Sequence, residues 1–163
     1  HKKTEAANEI RVAGVIAQEM RPAFPQSMIF SMSDRPAFEE ETSLIAATNF
    51  EAAKTAMADK PDVVVFQEGA FFSTSESEAD VLAEAKSFSA ENGVYLVLPA
   101  FILPESTDHK AVNRVYIITP QGEVGLDHIK FGGNQIEGTE PGSGELKTLE
   151  TPFGVASPAP GLM

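Results

Sequence analysis

The chain contains, at residues 61–69, the stretch PDVVVFQEG, in which a proline precedes an apolar run that ends in Glu68. Residues 63–66 lack the polar alternation of a half-exposed strand, so they predict a strand that is covered on both faces of a sheet. Open α/β sheets bind ligands beyond the carboxyl ends of their strands. A carboxylate that closes such a strand is therefore a candidate for chemistry.

Helical and strand-like segments flank this strand on both sides. Residues 39–60 are rich in alanine, open with three glutamates and carry apolar residues at helical spacing, which predicts a helix that ends before Pro61. Residues 75–92 predict a second helix that stops at Asn92-Gly93. Residues 10–17 and 94–101 predict strands, and the proline-containing residues 21–36 predict a loop.

The last third of the chain predicts an antiparallel addition. Residues 112–119 and 123–129 are strand-like and are joined by Pro-Gln-Gly, which indicates a hairpin. Residues 104–110 and 131–144 predict loops, and residues 151–156 begin like a further strand that the following prolines stop. The order strand, helix, strand, helix, strand, strand, strand predicts one α/β domain over residues 1–163.

The charge and hydropathy of the chain exclude some partners. Lys and Arg number 12 against 24 for Asp and Glu, and the net charge of −12 repels phosphate backbones and anionic lipid headgroups. No nucleic-acid partner is expected. The longest apolar stretch, residues 94–103, has about half the length of a membrane helix, so no membrane span is expected. The polar start at His1 lacks the apolar segment of a signal peptide and hints at an excised segment.

Neither a metal nor an organic cofactor is expected. The chain has no cysteine, which excludes disulfides and thiolate ligands, and its three histidines are too scattered for a local metal-binding pattern. The glycines of residues 132–144 lack the Gly-Lys-Ser/Thr ending of a phosphate-binding loop, which disfavours nucleotide binding.

Three charged residues are candidates for catalysis. Glu68 has the position expected of a general base. A carboxylate that caps the following helix, or one that is simply solvated, would occupy the same position. Lys130 closes the second hairpin strand and has the fixed charge that stabilises an oxyanion, or it protects a sheet edge as a surface lysine. Glu137, in the following loop, is a candidate to orient a substrate or to support Lys130, although most loop glutamates do neither.

Two further polar residues receive structural interpretations. Asn113, at the start of a strand, is interpreted as a hydrogen-bonding structural residue rather than a catalyst. His128 is interpreted as a surface residue, or one that lies behind the site, rather than as a ligand.

Four stretches stand in an order that resembles the nitrilase, or carbon–nitrogen hydrolase, superfamily. They are VVVFQE at residues 63–68, NRVYIITPQGE at 113–123, HIK at 128–130 and TPFG at 151–154. The spacing from Lys130 to Glu137, with EPGSGEL at 140–146, is most similar to the branch around apolipoprotein N-acyltransferase. The resemblance extends from residue 10 to residue 154, which is nearly the whole chain.

This resemblance implies a four-layer αββα sandwich and a Glu-Lys-Cys triad. Glu68 would be the general base, Lys130 would steady the tetrahedral intermediate, and Glu137 would match a second family glutamate near the lysine. The implied partner is a small-molecule amide or acyl donor, and no cofactor is implied. A homo-oligomer is left open.

The sequence departs from the family pattern at the nucleophile. No cysteine follows TPFG, and Ser157, which lies nearby, is not expected to replace it because a hydroxyl is much harder to deprotonate and prolines flank it. Gln67 also stands where the family usually has proline. The family extends further at its C-terminus, so we expect an incomplete sandwich that ends before the cysteine.

Three hypotheses remain from the sequence. In the first, the chain is part of an enzyme that breaks or forms amides through a cysteine acyl-enzyme, as an amidase or an N-acyltransferase, and is inactive alone. In the second, it is a non-catalytic binding or oligomerisation protein on the same scaffold. In the third, it is an unrelated α/β domain. An N-acyltransferase would be extracytoplasmic and membrane-tethered and a soluble amidase cytoplasmic, so the compartment stays unknown.

Overall fold

Three α-helices and eight strands lie in the residues that the computed structural model describes, which are 9–16, 26–106, 108–131 and 138–158. The helices are α1 (Gln26–Ser33), α2 (Arg35–Ala56) and α3 (Glu78–Asn92). The strands are β1 (Val12–Val15), β2 (Val63–Phe66), β3 (Phe72–Thr74), β4 (Tyr95–Leu103), β5 (Val112–Ile118), β6 (Val124–Ile129), β7 (Leu149–Thr151) and β8 (Gly154–Ala156). No helix in these ranges has the length and apolar character needed to cross a bilayer.

Six of these strands form one mixed sheet. Its order is β1-β2-β4-β5-β6, and β3 also pairs with β4. β1, β2 and β3 make parallel pairs, whereas β4-β5 and β5-β6 are antiparallel. Val64 lies between Ala13 of β1 and Leu96 of β4, so β2 is a central strand, as its apolar run predicts. The predicted β5-β6 hairpin is confirmed, and β7 and β8 form a separate two-stranded sheet.

Helices α2 and α3 pack against one face of the large sheet around an aromatic cluster. Phe50 of α2 lies at its centre, with ring centroids 5.7 Å from Phe66, 5.4 Å from Phe71 and 6.0 Å from Phe88. The rings meet edge-on or tilted, which is the geometry that aromatic pairs prefer. The cluster therefore joins both helices to β2 and to the segment that follows it.

A polar cluster joins the start of α3 to strands β5 and β6. The Tyr116 hydroxyl donates to Glu78 Oε1, and Arg114 lies 3.2 Å from that carboxylate and 3.3 Å from Asp127. Burial of Tyr116, followed by its bond to Glu78, raises its pKa to about 12, so the phenol stays protonated. These bonds hold the hairpin that carries Asn113 and Lys130 against the helical layer.

The opposite face of the sheet is partly covered by the β7-β8 hairpin. Phe153 of this hairpin contacts Tyr95 of β4, with ring centroids 6.1 Å apart. Leu149 lies so close to β6 that a Cβ atom on Gly125 would be 2.9 Å from its side chain. A cavity of about 240 Å³ lies between the hairpin and the sheet.

The predicted loop over residues 21–36 is wrong from residue 26 onward. Residues 26–33 form α1, and α2 begins at Arg35. Asp34 caps α2 by accepting the Ala37 N–H at 3.3 Å, and Pro36 lies in the first turn, where its missing N–H is not needed. The proline thus marks a helix start rather than a loop. Residues 21–25 lie outside the described ranges.

Other element bounds differ from the predictions in the same region and beyond. Because α2 starts at Arg35, its first turn contains no acid, and the helix ends at Ala56, followed by a 3-10 turn at Met57–Asp59. Lys60 follows in the left-handed conformation and is not part of the helix. Helix α3 starts at Glu78 after the short strand β3, which the sequence did not predict, and a hairpin replaces the single strand predicted at residues 151–156.

We expect Phe50→Ala to lower the free energy of unfolding by about 3–5 kcal/mol, because it removes the centre of the aromatic cluster and leaves a cavity. Urea unfolding followed by circular dichroism measures this loss. Leu44→Ala, on the same helix but 67% exposed, should change stability by less than about 0.5 kcal/mol. Equal losses in the two variants would show that the cluster is not the centre of the core.

Candidate active site

Glu68 lies on a bulge where the chain leaves the sheet between β2 and β3. Val65 pairs with Val97, and the next pair with β4 is Phe72 with Phe101. The chain advances seven residues from 65 to 72 while β4 advances four from 97 to 101, so three residues are surplus. This surplus is accommodated in the Glu68 bulge, defined here as residues 67–71. Gly69 has φ +83°, a conformation that favours glycine and allows the tight turn.

The end of the Glu68 bulge is anchored in the core. Ala70 and Phe71 are buried, and the Phe71 ring lies 4.8 Å from Phe66. The Phe71 carbonyl accepts the Phe101 N–H at 2.9 Å, which returns the chain to the sheet. The carboxylate of Glu68, in contrast, is 61% exposed on the rim.

Lys130 follows β6 at the same rim, and its backbone is fixed on both sides. Its N–H donates to the Asn113 carbonyl at 2.9 Å, and its own carbonyl accepts the Gly142 N–H at 2.9 Å. The side chain extends to Glu68, with Nζ donating to Oε1 at 3.0 Å. The structure therefore brings Glu68 and Lys130 into direct contact, although 62 positions separate them in sequence.

Asn113 completes this contact from β5. Its side chain is buried, and Nδ2 donates to the same Glu68 Oε1 at 3.0 Å. This bond is the main reason that the pKa of the Glu68 carboxyl lies below its ordinary value; Lys130 lowers the pKa further, and partial burial opposes both. The interpretation of Asn113 as a hydrogen-bonding residue is confirmed, but the sequence did not reveal that its partner is Glu68.

An open cavity of about 270 Å³ adjoins these groups. Its polar lining comes from Glu68, Asn113, Arg114, His128 and Lys130, and the rest is apolar: Phe66, Val97, Pro99, Val115 and Pro158. Small-molecule sites have this composition, with an apolar wall and a few convergent polar groups.

The interpretation of His128 as a surface residue is wrong, since its side chain is only 7% exposed and lines the cavity. Strand alternation places residues 128 and 130 on the same side of the chain, and the register pairs His128 with Val115. His128 thus lies on the face of the large sheet opposite α2 and α3, which the β7-β8 hairpin partly covers.

The remaining candidates do not join this contact in the described residues. Glu137 lies outside the described ranges. The Ser157 hydroxyl donates to the Lys147 carbonyl at 3.1 Å, while its neighbour Pro158 lines the cavity. Within the described ranges, no group of three or more His, Asp or Glu side chains has the arrangement to hold a metal ion.

Comparisons with known proteins identify the fold but not a family by sequence. No family model matches the chain, and no curated protein matches it. An amidase from Nesterenkonia sp. AN1, solved with butyramide, is 16% identical with a TM-score of 0.60; the match covers 93% of this chain and 55% of that one. An N-terminal amidase solved with an Asn-Glu peptide is 18% identical with a TM-score of 0.52 over 86% of this chain and 33% of that one.

The chain has the fold of these amidases. It spans about half the length of the Nesterenkonia protein and a third of the N-terminal amidase. The predicted nitrilase-like α/β class is confirmed in an incomplete form, in which helices cover one face of the large sheet and a short hairpin covers part of the other. The finer resemblance to the apolipoprotein N-acyltransferase branch gains no support from these structures.

We expect Asn113→Ala to raise the pKa of Glu68 toward its ordinary value, because the hydrogen bond that most favours the carboxylate is lost. The carboxyl carbon shift of Glu68, followed by NMR against pH, measures this. Asn92→Ala is the matched control, since that amide donates to the Phe88 carbonyl on α3 and not to Glu68.

The same bond links folding to pH. A carboxyl whose pKa is lower in the folded than in the unfolded state stabilises the fold above its unfolded value of about 4.3, and this contribution is lost as the pH falls through the folded pKa. In Asn113→Ala, the loss of folding stability that protonation of Glu68 causes at acid pH should be smaller than in the original chain. An unchanged Glu68 titration would contradict the assigned contact.

We expect Gly142→Ala to destabilise the fold by about 1–3 kcal/mol, because its Cβ would clash with the Ile129 carbonyl oxygen, next to Lys130. Urea unfolding tests this, with Gly14→Ala as a control, since no atom lies within 4 Å of a Cβ there. A neutral Gly142→Ala would mean that the loop is not held against Lys130 as described.

Proposed function

We propose that this chain is a member of the nitrilase superfamily and carries the base and the oxyanion-binding cation of a site that processes amides. The contact between Glu68 Oε1 and Lys130 Nζ, 3.0 Å long and at the mouth of a largely apolar cavity, carries the proposal. The amidase fold of the chain supports the same reaction class.

Glu68 has the properties of a general base. Its pKa lies below its ordinary value, so it is ionised at neutral pH and can accept a proton. In the proposed reaction it accepts the proton of a cysteine thiol as the sulfur attacks the carbonyl carbon of the amide. The thiol has a reference pKa of about 8.5, so a base is needed to generate the thiolate. Residues 1–163 contain no cysteine, so the proposal assigns the thiol to a residue outside them.

Lys130 has the properties of the group that binds the oxyanion. When the sulfur attacks, the electron pair of the C=O bond moves to oxygen, and the Lys130 ammonium donates a hydrogen bond to the resulting anion. Its backbone is fixed by bonds to Asn113 and Gly142, so little reorganisation is needed. The amine then leaves with the proton held by Glu68, and a thioester remains. Glu137 is proposed to support Lys130, as the resemblance implies.

Hydrolysis of this thioester is the proposed second step. In an amidase, water attacks the acyl carbon, gives its proton to Glu68 and displaces the cysteine sulfur, which then takes the proton back; in an N-acyltransferase, an amine would attack in place of water. The amidase reading is preferred, because the structurally similar proteins are amidases, one of which carries the acetamide moiety of fluoroacetamide on its active-site cysteine. A small-molecule aliphatic amide is the proposed substrate, since the cavity beside Lys130 is lined by Val97, Pro99 and Val115.

A second candidate function is the binding of carbonyl compounds without reaction. The absence of cysteine from residues 1–163 favours it. Glu68, Asn113 and Lys130 would still present donors and an acceptor to an amide at the mouth of the cavity. Both candidates predict that this chain binds amides, and they differ in whether an acyl-enzyme forms.

We expect this chain to bind butyramide, with saturable NMR shift changes at Asn113 and Lys130. Lys130→Met should weaken binding about 10-fold, because a charge-assisted hydrogen bond to the carbonyl is lost. Lys110→Met, at an exposed lysine, is the control and should bind as the original chain does. Shift changes confined to other parts of the molecule would overturn the proposed site.

The coding sequence beyond Met163 distinguishes the two candidates. A downstream strand that ends in cysteine supports the enzyme. The extended protein, quenched with acid while it turns over butyramide, should then carry the mass of a butyryl group, and Glu68→Gln should abolish this gain. A stop codon directly after Met163 supports the binding protein and overturns the acyl-enzyme.

A further inference from the structure

Asn49 is a fully buried polar residue on the face of α2 that packs against the sheet. Its side chain is 0% exposed, and Nδ2 donates to the Ala70 carbonyl at 2.8 Å. Ala70 lies in the Glu68 bulge, two positions after the carboxylate. A hydrogen bond of this length in a water-excluded environment is costly to lose, because the carbonyl would be left without its partner.

The Glu68 bulge needs an anchor of this kind. The pairing of the sheet fixes the bulge at its two ends, at Val65 and at Phe71 and Phe72, and between them the Ala70 N–H donates to the Gln67 carbonyl at 3.2 Å. Gly69, next to Glu68, has no atom within 4 Å of where a Cβ would lie, so packing does not confine the turn there. The bond from Asn49 to Ala70 acts between these ends, from the layer behind the sheet.

We propose that Asn49 is a positioning residue for Glu68. By holding the Ala70 carbonyl, it fixes how far the bulge projects from the sheet, and therefore where the Glu68 carboxylate meets Lys130 and Asn113. Its catalytic purpose rests on the proposed function, whereas the positioning itself does not. Two hydrogen bonds of 3.0 Å converge on Glu68 Oε1, and such constellations lose their geometry when the supporting groups shift by about 0.5 Å.

A purely structural role would give a different result. If Asn49 only fills the core, its loss lowers stability and leaves the environment of Glu68 as it is. The discriminating observable is therefore the pKa of Glu68 in the folded protein, and not the unfolding curve. This titration requires neither turnover nor ligand.

The test compares Asn49→Ala with Ile45→Ala, one turn earlier on α2. Ile45 is 5% exposed and packs with Phe38 and Leu103, in a cluster separate from the one that contains Ala70 and Phe71. Both variants lose stability, but only Asn49→Ala should raise the pKa of Glu68, by at least half of the rise seen in Asn113→Ala. A Glu68 titration that is unchanged in Asn49→Ala, or equally changed in Ile45→Ala, would overturn the proposal.

Asn49→Ser provides a second variant if Asn49→Ala does not fold. Its hydroxyl is too short to reach Ala70 but leaves a smaller cavity, and the same rise in the Glu68 pKa is expected from it. An unchanged pKa in Asn49→Ser overturns the proposal in the same way. Failure of butyramide to bind the original chain would overturn the proposed function alone, because the pKa comparison decides the role of Asn49 without any ligand.

Discussion

The hydrogen bonds that Glu68 Oε1 accepts from Asn113 and Lys130 are the constraint on which the site depends. They join three separate parts of the chain: the bulge after β2, the start of β5 and the end of β6. Their geometry holds only if β5 keeps its register with β4 and β6 keeps its register with β5. The polar cluster of Tyr116, Glu78 and Arg114 on the other face of the hairpin supports that register, so the helical layer contributes to the site without touching it.

The two faces of the large sheet carry different kinds of residues. The face toward α2 and α3 carries the aromatic cluster and the fully buried aliphatic residues, and so supplies most of the apolar burial that stabilises the fold. The other face carries His128, Lys130 and the cavity beneath Pro158. Most side chains of the candidate site therefore lie on the face of the sheet opposite the core. Asn49 is the exception, because its side chain acts from the core on the bulge that leads to Glu68.

Much of this organisation follows from sequence patterns that act over short distances. The apolar run before Glu68 predicts the central strand, and Pro-Gln-Gly predicts the hairpin. Helix α1 was missed because the prolines and serines of residues 21–36 are typical of a loop, whereas Asp34 and Pro36 in fact serve the start of α2. Strand β3 was missed because three residues carry too little periodicity. Asn113, His128 and Asn49 were beyond prediction as site residues, since their partners are fixed by register and by the bulge, both of which are long-range features.

The bonds that favour the ionised form of Glu68 also oppose its proposed role as a base, because a carboxylate with a lowered pKa has less affinity for the thiol proton. The contact with Lys130 relieves part of this conflict in the proposed reaction, while the larger effect, that of the Asn113 bond, remains. As negative charge forms on the substrate oxygen, the ammonium turns its hydrogen bonding toward the oxyanion and weakens its bond to Glu68. The proton affinity of Glu68 then rises at the moment when the thiol proton arrives. In the proposed reaction, the ion pair of the free site is thus a resting arrangement. Its partial exchange for the oxyanion would couple the base strength of Glu68 to the progress of the attack.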